Sequence, residues 1–125
     1  MVSLNIIATS EVSHGDFSIS SSLIRLKHSY LLFVTDQDEF GLGTITLASQ
    51  PSEVHTGSSS NPFNFFGIKN NMLANIVSKT ASKTLKAPVM VMLLIKETKL
   101  KQKRINQLVI KNIKQLLEEL NNNDL

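Results

Sequence analysis

Hydrophobic spacing along this chain changes character near residue 70. Before it, apolar residues fall in short runs or alternate with polar ones, as strands require. After it, on either side of the apolar run Val89–Ile95, they recur at three and four residues, as on one face of a helix. Leu4 to Thr9 is an apolar run with β-branched content. Phe17 and Ile19, then Leu23, Ile24 and Leu26, continue an extended pattern interrupted by Ser20-Ser21-Ser22. Tyr30 to Val34 is rich in aromatic and β-branched residues, as a core strand should be. The polar Asp36-Gln37-Asp38-Glu39 separates two strand-like runs and predicts a hairpin loop. Gly41 and Gly43 then lead into Thr44-Ile45-Thr46-Leu47, whose period of two implies one wet and one buried face.

Gln50 to Asn61 contains Pro51, Gly57 and Ser58-Ser59-Ser60 and predicts a mobile surface loop. Pro62 to Ile68 predicts a further short strand, carrying Phe63, Phe65 and Phe66. Asn70 or Asn71 is placed to cap a helix over Met72–Leu85, with Leu73, Ile76, Val77, Ala81 and Leu85 inward and Lys79, Ser82, Lys83 and Lys86 off that face. Pro88 forbids its continuation. Val89 to Ile95 reads as a buried strand. Ile105, Leu108, Val109, Ile113, Leu116, Leu117 and Leu120 mark a second helix, with Lys111, Lys114 and Glu118 opposite and a fraying tail over Asn121–Asp124. A block of strands followed by helix, strand and helix predicts an α+β fold: an antiparallel sheet or sandwich of about six strands with two helices, the second C-terminal.

At 125 residues and 13.9 kDa the chain is expected to be a single domain, 1–125. The longest apolar run, Pro88 to Ile95, is far short of the roughly 20 residues of a membrane-spanning helix. Met1 to Ser10 has neither a basic region nor the apolar stretch of a secretory signal. The absence of cysteine removes disulfides, thiolate zinc sites and cysteine nucleophiles. These features together read as a soluble intracellular protein. Charge is divided unevenly. Met1 to Ile68 holds two basic and six acidic residues, a net −4; Lys69 to Leu125 holds eleven basic and four acidic, a net +7. Such a layout favours oriented association with a protein partner.

Candidate chemistry is sparse. His14 and Asp16 could mark a small hydrolase site, but they occupy a turn-like Ser-His-Gly-Asp segment where Gly and Asp serve the turn. Gly41-Leu42-Gly43 lacks the third glycine and following helix of a dinucleotide site. Lys99, Lys101, Lys103 and Arg104 could bind phosphates as a nucleic-acid module, though no aromatic residue accompanies them for base stacking. As partner contacts, the densest charged candidates are Asp36, Asp38 and Glu39 on one side and Lys99, Lys101, Lys103 and Arg104 on the other. Phe66 is added because alternation turns one of Phe65 and Phe66 outward.

Several short blocks resemble the proteasome assembly chaperone 4 family, with the related chaperone 3 family as the alternative. Glu11-Val12-Ser13 with Asp16-Phe17-Ser18 is similar to its N-terminal strands. Leu73-Ala74 with Lys79-Thr80 resembles its first helix, Val89-Met90-Val91 the strand after it, and Leu108-Val109 with Ile113-Lys114 its last helix. The order of blocks extends the resemblance over most of Glu11 to Leu120. The resemblance implies a sandwich-like sheet flanked by two helices. It further implies a heterodimer of chaperones 3 and 4 that scaffolds proteasome α-subunits while the 20S α-ring forms, and that leaves before maturation. Neither catalysis nor a cofactor is implied, nor nucleic acid or membrane, and the expected location is cytoplasmic, extending to the nucleus.

Overall fold

The computed structural model describes residues 2–49, 59–64 and 70–124, with 59–64 and 122–124 described by their backbone. β1 (Asn5–His14) and β2 (Phe17–Leu26) form a hairpin whose two-residue turn uses Gly15 at φ 62°. That left-handed conformation is what glycine adopts without strain. The three serines do not interrupt β2. It runs unbroken, with Ser21 and Ser22 buried in line with Ile19, Leu23 and Ile24. A second tight turn, with His28 at φ 65°, leads into β3 (Ser29–Thr35).

After β3 the topology departs from expectation. The residues 36–39 do not close a hairpin, because β3 and β4 (Thr44–Ser49) are not neighbours. β6 (Val89–Leu94) lies between them, parallel to β3 and antiparallel to β4. β5 (Ser59–Asn64) pairs with the outer side of β4; it takes in the end of the expected loop and the start of the strand expected over Pro62–Ile68, whose remainder lies outside the described residues. The rest of that loop, and Phe65 and Phe66, lie outside the described residues. The order is β1-β2-β3-β6-β4-β5. Because β6 runs parallel to β3, the sheet is mixed rather than antiparallel. Among the described residues it is a single sheet and not a sandwich, since helices occupy the place of a second sheet.

α1 (Asn71–Leu85) and α2 (Gln102–Asp124) cover one face, α1 over β4, β5 and β6 and α2 over β1 and β2. Period-two alternation selects the residues beneath them: Ala8, Val12, Phe17, Ile19, Leu23, Leu32, Val34, Val89, Val91 and Leu93. The predicted stripe of α2 is fully recovered, from Ile105 to Leu120, and helix continues through the expected tail. The inward face of α1 is rotated from the prediction. Ser78 and Ser82 are buried with Leu73, Ala74, Val77 and Ala81, and Ile76 is 40% exposed. Small side chains allow α1 to approach the equally small Thr46 and Ala48 of β4, and Ser82 Oγ donates to the Ala87 carbonyl at 2.8 Å. Asn70 stands at the N-cap position of α1 but makes no side-chain cap bond. Its Nδ2 donates to Ile95 O at 3.5 Å, and its Oδ1 accepts from Gln102 Nε2 at 3.3 Å. Both helices thus begin at the end of the sheet where β6 finishes.

Leu116 lies at the middle of the buried stripe of α2, at 0% exposure. Leu116→Ala is expected to lower the unfolding free energy by about 2–5 kcal/mol, the range for a cavity left by a buried leucine. Urea denaturation checks this; a loss under about 1 kcal/mol would mean that this face of α2 carries little of the packing.

Candidate interaction surface

The face of the sheet away from the helices is ordered by strand register into rows. Ile6, Ile24, Leu31, Met90 and Leu47 stand opposite one another across β1, β2, β3, β6 and β4. The next row is Thr9, Ser22, Phe33, Met92 and Ile45, and the third is Glu11, Ser20, Thr35 and Leu94. The face is therefore apolar at one end and polar at the other. Ile6 and Leu47 are 62% and 51% exposed, and Leu31, Phe33, Met90, Met92 and Ile45 are half-buried. Neither helix reaches this face. Phe40, from the β3–β4 connection, leans over Phe33 with ring centroids 5.5 Å apart, and with Leu42 (49% exposed) it adds to the apolar rim. At the polar end, Thr9, Glu11, Ser20 and Thr35 border a depression of ≈ 490 Å³, in which Ser20 Oγ donates to Glu11 Oε2 at 3.3 Å.

The charged candidates divide into structural and exposed groups. Asp36 is structural: its carboxylate accepts the backbone N–H of Lys96 at 3.0 and 3.1 Å and that of Glu97 at 2.8 Å. Thr35 Oγ1 reinforces the junction by donating to Leu94 O at 2.9 Å. Glu97 in turn accepts the N–H groups of Lys99 and Leu100, which turns the chain toward α2. Asp36 thereby ties the acidic connection to the segment that carries the basic one, so the two clusters are neighbours at one end of the sheet. Asp38 and Glu39 are exposed beside Lys96, bordering a further depression of ≈ 570 Å³. Lys99, Lys101, Lys103 and Arg104 are exposed. Phe66 is outside the described residues. His14 is held at the β1–β2 turn by the Arg104 guanidinium, which donates to Nδ1 at 3.1 Å, and Asp16 is exposed in that turn.

The glycines of the β3–β4 connection explain how it lies so near β6. A Cβ at Gly43 would collide with the Leu93 carbonyl oxygen, and one at Gly41 would stand 3.0 Å from Leu94 Cδ2. Only glycine permits this approach at position 43. The residues missed by sequence reasoning are Leu31, Phe33, Ile45, Leu47, Met90 and Met92. A signal existed: Tyr30–Val34 and Val89–Ile95 are continuously apolar, so both faces of these strands are apolar, whereas the helices cover only one.

No family model and no curated protein matches the chain. Among solved structures, it is similar in fold to a chain of a novel chaperone complex for yeast 20S proteasome assembly. The TM-score is 0.59 at 11% sequence identity, covering 93% of this chain and 91% of that chain.

Asp36 and Asp38 sit two residues apart with different tasks. Asp36→Ala is expected to cost about 1.5–3 kcal/mol of stability, because it removes charge-assisted bonds to two backbone amides. Asp38→Lys should change stability by less than about 0.5 kcal/mol. Parallel denaturant titrations check the pair, and equal effects would refute the division.

Proposed function

We propose that this protein is a proteasome assembly chaperone of the 3/4 type, acting without catalysis or cofactor in the cytoplasm and nucleus. It pairs with a second small chaperone, and the pair scaffolds proteasome α-subunits during 20S α-ring assembly and is released before maturation. The observation that carries the proposal is the apolar sheet face that no helix covers among the described residues, on a fold shared over nearly the whole chain with a chain of a chaperone complex for yeast 20S proteasome assembly. Apolar side chains left half-buried or exposed on one sheet face favour association there, because their contact with water is unfavourable and a partner removes it. The acid-bearing rim, with Asp38 and Glu39 beside Phe40, supplies orientation: rim charges set encounter rate and register more than final affinity.

A native pull-down with mass spectrometry tests the assignment. Proteasome α-subunits together with a second small chaperone support it; recovery of neither overturns it.

Leu47 lies on the exposed end of the apolar row, so its side chain contributes more to association than to folding. Leu47→Asp is expected to weaken binding to the partner chaperone at least about tenfold, equivalent to about 1.4 kcal/mol. The same change should shift the melting temperature by only a few degrees. Unchanged affinity by calorimetric titration would move the interface off this face.

A further inference from the structure

On the other side of the molecule, the helix layer carries an unbalanced charge. From Asn70 to Asp124 there are ten basic residues and four acidic ones, Glu97, Glu118, Glu119 and Asp124, and the Glu97 carboxylate is already engaged by the backbone amides of Lys99 and Leu100. Neither helix has an acidic residue in its first turn. α2 instead places Lys103 and Arg104 near the positive end of its dipole, an arrangement that folding disfavours. Farther along, Lys111 and Lys114 are exposed on the same outward side as Lys103 and Gln107. Helix geometry spreads Lys103 to Lys114 over about 16 Å of axis. From Gln107 to Glu118 this side carries a shallow, open groove of ≈ 500 Å³ bordered by Gln107, Ile110, Lys111, Lys114, Gln115 and Glu118, in which the half-buried Ile110 presents apolar surface.

We infer that the outer face of α2 docks an acidic amphipathic helix of a partner protein. Carboxylates at helical spacing meet Lys103, Lys111 and Lys114, and an apolar side chain seats on Ile110. Glu118, at the far end of the groove, sets the direction, because it calls for a cation on the partner opposite it. A nucleic acid fits the same charges but not the apolar surface of Ile110, and no aromatic residue occurs from Lys99 to Leu125 on which bases could stack. This surface deepens the scaffold reading by giving a second partner its chemistry, but it rests on α2 alone. Since α2 lies on the opposite side of the sheet from the apolar rows, the two faces accept partners at the same time.

Fluorescence anisotropy provides the test. The probes are a labelled acidic amphipathic peptide of about 18 residues, long enough to form a helix on binding, and an oligothymidylate of the same length. Lys111→Glu/Lys114→Glu is compared with Lys79→Glu/Lys83→Glu, which makes the same change of net charge on exposed positions of α1. The α2 pair is expected to weaken peptide binding at least about tenfold, and the α1 pair less than about twofold. Lys111→Gln/Lys114→Gln, with an unchanged melt, guards against misfolding and should give an intermediate loss. Equal effects of the two reversals, or no binding of the peptide to the wild-type chain, overturn the inference. Tighter binding of the oligothymidylate, lost in the α2 variants, overturns it in favour of a nucleic-acid surface. Leu47→Asp should leave peptide binding intact, so this inference and the apolar-face association fail separately.

Discussion

Strand β6 must pack apolar side chains on both of its faces, and the rest of the molecule is arranged around that requirement. Val89, Val91 and Leu93 point to the helices, and Met90, Met92 and Leu94 point the other way. Such a strand is unstable at an edge, where water would reach its backbone as well as both faces. Its place between β3 and β4 satisfies the backbone on both sides. There it runs parallel to β3 and antiparallel to β4, with β4, β5 and α1 intervening in sequence between β3 and β6. This placement also brings the end of β6 to the end of β3, where the Asp36 carboxylate can take the amides of Lys96 and Glu97. One buried strand thus determines the sheet order, the common starting end of both helices and the meeting of the two charge clusters.

The chain displayed its local structure openly and its pairing poorly. α2 was legible because seven apolar positions repeat without a break. The β1–β2 hairpin was less so: Ser20-Ser21-Ser22 resembles a breaker by composition, yet strand pairing on both sides overrides intrinsic preference. Which strand neighbours β3 depends on contacts some 60 residues apart, such as Tyr30 with Val89, and no local pattern encodes them. The inward face of α1 was misplaced for a related reason. A serine is read as outward, but Ser78 and Ser82 satisfy their hydroxyls on nearby carbonyls and tolerate burial against a close sheet.

The candidate site was only half legible. Charge runs can be counted from sequence, so the exposed Asp38, Glu39 and Lys99 to Arg104 were found. Asp36 was grouped with them because nothing local distinguishes a carboxylate that accepts backbone amides from one that faces water. The apolar rows were overlooked for a different reason. A continuous apolar strand was taken as buried on both faces, and the sequence does not state that two helices are enough to cover only one.

The grading of the open face bears on reversibility, which the scaffold reading requires. A sheet face apolar from end to end would favour permanent association, with each added apolar residue tightening it by its transfer free energy. Here the rows pass from Ile24, Leu31 and Met90 through Ser22 and Thr9 to Glu11, Ser20 and Thr35. Partners that cover the apolar end must also leave the Thr9 and Ser20 hydroxyls and the Glu11 carboxylate wet or pair them, which limits the net gain. Met90 and Met92 at the centre are unbranched and adapt to more than one surface shape, so association there does not demand a single rigid fit. On the proposed reading, such a face would hold a partner by apolar contact at one end and release it from the polar end, where water enters first.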